Sequence, residues 1–324
     1  MAHELHLMAD GTYSMARASD TEHSWHNLEN VVDPNAEFDV WLDRSGMGFN
    51  INESVVQYST VKSIREKMDS RKVLWRDDNA KALSIVGSEY KVVQPRQILS
   101  FFTELCKKNH LKMDTAGVIQ GGKKFWALAR TGLEFNIKKD IVKDYILLAT
   151  ACDGTMATTG KQTSMRVVCS NTFHVNLTNG ESGIRVNHSN VFEEQQMKID
   201  LGLTTENFNT FSDHAQEMHK QKIDDHFALD MYTCLLTNSK LEDLTEDSGT
   251  ILYDKSPKMK QLWGSYKDGK GAEDTVWGWF NGVTYMTDHL AGRSQDSRIN
   301  NAFFGSGNTL KQNAWKKAKE MAGV

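Results

Sequence analysis

The sequence predicts an α+β protein in which antiparallel β-hairpins, forming a β-β-α core, pack with long helices. Three observations carry this prediction. Alternating apolar and polar runs between residues 80 and 170 are punctuated by Gly87-Ser88, Gly121-Gly122 and Asp153-Gly154, residues that tight turns between strands favour. From 188 to 240 there is no proline, and apolar residues recur at helical spacing. The 324-residue chain holds only three prolines, Pro34, Pro95 and Pro257, so regular elements are seldom interrupted.

Residues 1–45 mix His, Asn, Asp and Ser with few periodic apolar positions, and Asp33-Pro34 reads as a turn, so a flexible N-terminal arm is expected there. A hairpin-rich core is expected over 46–190, and a mainly helical part packing on it over 191–324. Val55 to Lys67 permits an amphipathic stretch, which Asp77-Asp78-Asn79 ends. Ala82 to Val86 and Tyr90 to Val93 flank Gly87-Ser88 as a hairpin. Pro95 then suits a first helical turn, followed by Ile98, Phe101, Phe102 and Leu105 at helical spacing.

The next hairpin turns at Gly121-Gly122. Period-two alternation assigns Phe125, Ala127 and Ala129 to one face of its returning strand, and Lys124, Trp126, Leu128 and Arg130 to the other. A third pair turns at Asp153-Gly154, with Tyr145 to Thr150 entering and Ser164 to Cys169 returning. On that return, Lys161, Thr163 and Met165 share a face opposite Gln162, Ser164 and Arg166. Phe208, Phe211, Ala215 and Met218, then Phe227, Met231 and Leu235, predict one or two long helices interrupted near Gly202. A loop-rich stretch with Trp263, Trp277, Trp279 and Phe280 is expected before a glycine turn and a basic amphipathic helix at the end.

Composition, at 39% hydrophobic and 25% charged, is that of a soluble globular chain, and no apolar run approaches the length of a bilayer span. A cytoplasmic location follows, without membrane association. Cys106, Cys152, Cys169 and Cys234 are widely spaced with no CxxC pair, so reduced core thiols are expected. The net charge of -4 conceals segregation: residues 1–50 carry 2 basic against 9 acidic residues, whereas 51–190 carry 21 against 13. Such asymmetry is the footprint of a polyanion-binding face.

Catalytic signatures are missing. No GxxxxGK[ST], strand-linked GxGxxG, HExxH or GxSxG occurs. Gly305-Ser306-Gly307 ahead of Lys311 has the outline of a phosphate cradle at a helix start, but the lysine does not directly follow the glycine. His214 and His219 lie five apart, which does not align them on one helical face for a metal. Cys152 with His174 is a conceivable nucleophile pair with nothing to orient a base. Asp114, Asp144 and Asp153 fall near strand ends, where they would have to cluster to bind Mg²⁺.

The basic hairpins offer more. Lys124, Trp126 and Arg130 on one strand face combine cations for phosphates with a ring for an unstacked base, and Lys123, Lys161 and Arg166 extend the set. The competing reading buries Trp126 in the core with the cations ranged around it.

The segments GSEYKVVQP at 87–95, TAGVIQGGKKFWALAR at 115–130, DGT at 153–155, MRVVCSNT at 165–172 and AFFGSGNTLKQNAWKKA at 302–318 resemble the phage/plasmid-like protein family, a domain of unknown function found in phages and plasmids. That resemblance implies a mobile-element origin and a bacterial host cytoplasm, and carries no established activity. A looser, fold-level similarity is to phage single-strand annealing recombinases of the Redβ and RecT kind, which assemble as rings or filaments. The resulting expectation is a cofactor-independent protein that binds and anneals single-stranded DNA as a homo-oligomer. Its backbone contacts would be Lys123, Lys124, Arg130, Lys161 and Arg166, with Trp126 stacking or scaffolding, and Arg298 and Lys311 as secondary contacts. The alternatives are a phage interaction protein, acting as a host-defence inhibitor or assembly component, and a metal-dependent nucleic-acid enzyme.

Overall fold

The alternation in the middle of the chain builds an eight-stranded sheet. The computed structural model describes residues 8, 11–12, 14–20, 30–61, 65–138, 140–166, 171–174, 184–186, 205–269, 273–292 and 295–324. Its long central strands are β7 (Lys124–Ile137) and β8 (Asp140–Ala151), flanked by β6 (Lys112–Ile119) and β9 (Thr158–Arg166). Short strands complete it: β1 (Met15–Ala18), β2 (Val31–Val32), β10 (Asn171–His174) and β11 (Ile184–Val186). The order is β10-β9-β8-β7-β6-β1-β2, with β11 also on β9. The turns at Gly121-Gly122 and Asp153-Gly154 fall between β6 and β7 and between β8 and β9, as their sequences predict. Gly121, Gly122 and Gly154 all take positive φ, which glycine adopts without the Cβ penalty.

A smaller three-stranded sheet consists of β3 (Ile51–Ser59), β4 (Arg65–Arg76) and β5 (Ala82–Gly87), in that order. Two local expectations change here. The stretch from Val55 to Lys67 lies in β3 and β4, paired antiparallel. Ala82–Gly87 pairs backwards with β4, and residues 90–94 form no strand. The Asp77-Asp78-Asn79 turn is the one that joins β4 to β5, closed by the Arg76 N–H donating to the Lys81 carbonyl at 3.0 Å, and the Asp77 carboxylate ties it to the start of β3 by accepting from the backbone and side chain of Asn50 at 2.8 Å.

Helix α2 (Pro95–Lys108) starts where Pro95 predicts. Gln94 and Gln97 cap it reciprocally, and Ile98, Phe101, Phe102 and Leu105 are buried. It covers one face of the large sheet, where Phe125, Ala127, Ala129, Ile146 and Leu148 meet Trp41, Leu74 and Leu83 in one core. Part of the segment read as an arm belongs to this core. Ala16 and Ala18 of β1, which pairs with β6, are fully buried, as are Trp41 and Leu42 of helix α1 (Phe38–Arg44). Val32 of β2 joins them in this core, and the polar neighbours of all five conceal them in the sequence.

The C-terminal part is helical: α3 (Thr205–Lys220), α4 (Asp225–Thr237), α5 (Ser248–Lys255), α6 (Pro257–Asp268), α7 (Val276–Tyr285), α8 (Gln295–Phe304) and α9 (Ser306–Ala322). The break between α3 and α4 spans 221–224, and Gly202 lies outside the described residues. The tryptophan stretch, expected to be loop-rich, is largely helical. Trp263 sits in α6, and Trp277, Trp279 and Phe280 in α7, where rings from several helices and from Phe135 of β7 pack as a second core. Their aromatic density hides helical periodicity because nearly every face of α7 is buried.

Candidate functional site

Alternation on β7 sends Lys124, Trp126, Leu128 and Arg130 to the face opposite α2, and the ladder puts Ala151, Ala149, Leu147 and Tyr145 of β8 beside them. Lys161 pairs with Leu147 and so shares that face. The sequence grouped these side chains correctly. It did not reveal what covers them. Helix α8 lies on this face, with Ala302 and Phe303 closing a third core over Trp126, Leu128, Tyr145 and Met165.

Trp126 is therefore a scaffold residue, 1% exposed and stacked on Phe303 with ring centroids 6.1 Å apart. Lys124 is buried and its Nζ donates to Asn300 Oδ1 at 2.5 Å, while desolvation lowers its pKa against the opposing pull of Asp153. Arg130 binds Asp20 and faces Asp114 at 3.3 Å. Lys311 is 1% exposed and held by Asp288. None of these four presents an open cationic face. Lys123 and Lys161 are half-buried, and Arg298 is half-buried with its guanidinium donating to the Gly292 carbonyl at 3.2 Å. Arg166 ends β9 in register with Val142 and Asn171, and its side chain lies outside the described residues.

The remaining sequence candidates are resolved by packing. Gly307 N–H and the Ser306 hydroxyl both bond Asn301 Oδ1, at 2.8 and 3.1 Å, so the cradle-like turn is filled by its own chain. Burial pushes the Cys152 thiol up to about 12, the opposite of nucleophile activation, and the His174 side chain lies outside the described residues. Cys106 and Cys234 are likewise buried free thiols, and Cys169 is outside the described residues. His219 pairs with Glu273 at 2.7 Å while His214 packs on Trp315. Among the described residues no three His, Cys, Asp or Glu side chains group to hold a metal: Asp114 and Asp144 are buried in strands and Asp153 turns its own loop through Thr155.

The exposed chemistry lies elsewhere. β5 pairs with β4 only at Arg71 to Trp75, so beyond that point β3 and β4 continue as a two-stranded ribbon. Its pairs are Val56↔Met68, Gln57↔Lys67, Tyr58↔Glu66 and Ser59↔Arg65, with both faces exposed. One face thus carries Arg65 and Lys67 opposite neutral Ser59 and Gln57, and the other carries Val56, Tyr58 and Met68 beside Glu66. Tyr58 is 49% exposed and Val55 52%. Sequence reasoning missed this arm because a lone ribbon lacks the one-sided burial that gives strands their alternating signature.

A second feature is a cleft of about 260 Å³ where β7 bulges away from β8 between Arg130 and Glu134. Gly132 turns there at φ 87°. The cleft is lined by His110, Lys112, Arg130, Thr131, Gly132, Leu133, Glu134, Lys143 and Asp144. Asp144 Oδ2 accepts from Thr131 Oγ1 and Gln162 Nε2, both at 2.9 Å, and burial raises its carboxyl to about 7.

The model of the family described as Domain of unknown function (DUF932) matches residues 82–304. The chain belongs to the DUF932 family. The matched span begins at β5 and ends with α8, so the DUF932 region contains the cleft, the central hairpins and the helix that covers Trp126, while the ribbon precedes it. No curated protein and no solved structure matches the chain. Among the described residues no helix is long and apolar enough to cross a membrane.

Proposed function

We propose that this protein binds single-stranded DNA and anneals it during recombination of a mobile element, in the cytoplasm of a bacterial host and as a homo-oligomer. The ribbon of β3 and β4 supports this reading. A two-stranded arm with no core beneath it gains little stability from its own side chains, so its exposed groups are free to meet a partner. Arg65 and Lys67 stand two residues apart on one face, about 7 Å along the strand, close to the phosphate spacing of an extended nucleic-acid chain. Tyr58 on the other face supplies a ring suited to stacking. The capture is electrostatic and needs no cofactor, which leaves base edges open for pairing.

The test is a gel shift of single- and double-stranded oligonucleotides at low and high salt. Single-strand binding that weakens steeply with salt, and is lost in Arg65→Glu/Lys67→Glu with an unchanged thermal midpoint, supports the reading. Absence of binding at low salt overturns it. Recovery of a bound host protein from nuclease-treated extract, dependent on Tyr58 and Met68, points instead to an interaction protein docking on the apolar face.

A further inference from the structure

Strand β3 leaves one edge of the small sheet open. It is the terminal strand of the order β3-β4-β5, and among the described residues only β4 pairs with it. At its base the Gln94 side chain takes the Ile51 N–H and C=O, at 2.8 and 2.9 Å, and closes the edge there. Further out, residues 54–59 read Ser-Val-Val-Gln-Tyr-Ser, with no charge and no proline, and Val55 and Tyr58 are 52% and 49% exposed. The irregularity in pairing falls in β4, where 69–71 are passed over between Met68 and Lys72, so β3 has no extra residue of its own. An uncharged free edge of β-branched and aromatic residues is a template for another strand.

The other edge of the ribbon is guarded. β5 leaves β4 at Arg71, and residues 65–69 beyond it carry Arg65, Glu66, Lys67 and Asp69, a density of charge that discourages strand addition. Each molecule thus offers one receptive edge, and the uncharged strand that matches it is the same edge of a second copy. Two such strands meet antiparallel about a two-fold axis normal to the ribbon, which returns each face to itself. Centred on Gln57, the register sets Val56 opposite Tyr58 of the second copy twice over, a β-branched and aromatic pair, and leaves Glu53 beyond the paired residues 55–59. The two Lys67 residues then share a face three strand spacings apart, about 14 Å, farther than the screening length of about 8 Å.

We propose that the protein forms a two-fold dimer by pairing β3 with β3 of a second copy, giving one four-stranded ribbon with Arg65 and Lys67 of both copies on a single face. The pairing rests on the homo-oligomer of the proposed function and supplies its interface, and it forms without nucleic acid.

Sedimentation equilibrium of the full chain, free of nucleic acid, tests it. A monomer–dimer equilibrium is expected, and Val56→Asp, still folded by thermal melting, raises its dissociation constant roughly tenfold or more. Gln57→Cys meets its own copy across the axis and oxidises to a reducible dimer. Ser59→Cys lies four residues, about 13 Å, from its mate and does not. The parent oxidised in parallel accounts for its own thiols. A dimer that binds no oligonucleotide sinks the nucleic-acid reading alone, and a monomer that binds one sinks the dimer alone. Three results overturn the proposal: a monomer at every concentration up to about 1 mM, an assembly that Val56→Asp leaves unchanged, or cross-linking equal at positions 57 and 59.

Discussion

Lys311 Nζ lies 2.8 Å from Asp288 Oδ1, and the two side chains are 1% and 2% exposed. The pair joins α9 to a π-helical turn over Met286–Leu290 that continues α7, so the lysine closes the helical half of the molecule. Desolvation lowers the ammonium pKa, and Asp288 opposes that shift.

Removing one member leaves the other charge buried without compensation. Lys311→Ala or Asp288→Ala is therefore expected to cost about 3–5 kcal/mol, read from urea midpoints. The double change Lys311→Met/Asp288→Leu should cost less than either single change, because no ion remains to be desolvated. A double variant weaker than both singles would show that the pair contributes beyond mutual neutralisation.

Trp126 should behave as core. Trp126→Ala removes the ring stacked on Phe303 and is expected to lower stability by about 3–5 kcal/mol. At a temperature where the variant is folded, its single-strand affinity should equal that of the parent. A selective loss of affinity with stability intact would return Trp126 to the binding surface.

Asp144 gives a pH signature with a definite sign. Its folded pKa is about 7, against about 4 in an unfolded chain, so the folded state holds the proton more tightly. The contribution is fully present below about pH 4 and is lost as pH rises to about 7, on the order of 4 kcal/mol in all. Asp144→Asn should remove this part of the slope and stabilise the protein at pH 8 relative to the parent. Parallel urea titrations at pH 5 and pH 8 check it; identical slopes for parent and variant would refute it.

Gly122 ties the small sheet to the large one. At φ 104° it takes a backbone conformation that side chains rarely adopt, and a Cβ there would lie 2.9 Å from Arg76 Nη1. That guanidinium donates to the Gly121 carbonyl, binds Asp78 and covers the Phe49 ring at 3.8 Å. Gly122→Ala should cost about 1–3 kcal/mol in thermal or urea unfolding, whereas Gly121→Ala, whose Cβ meets nothing within 4 Å, should cost less.

Local pattern along the chain was enough to specify the α+β class, the turns at Gly121-Gly122 and Asp153-Gly154, the start of α2 at Pro95 and the facial sorting of β7. Each follows from a local rule: glycine at positive φ, proline at a first turn, alternation along a strand. The partners of those faces were a tertiary matter. Lys124, Trp126 and Arg130 point together, but only the return of α8 from some 170 residues away decides that Lys124 and Trp126 meet Asn300 and Phe303, and only the N-terminal segment brings Asp20 to Arg130. The same holds for β5, which pairs backwards with β4, and for the Asp144 cleft, which exists because a bulge in β7 faces β8. Periodicity records which side of an element is apolar; burial depends on what the rest of the chain lays against it, and that is fixed by packing over distances no local pattern encodes.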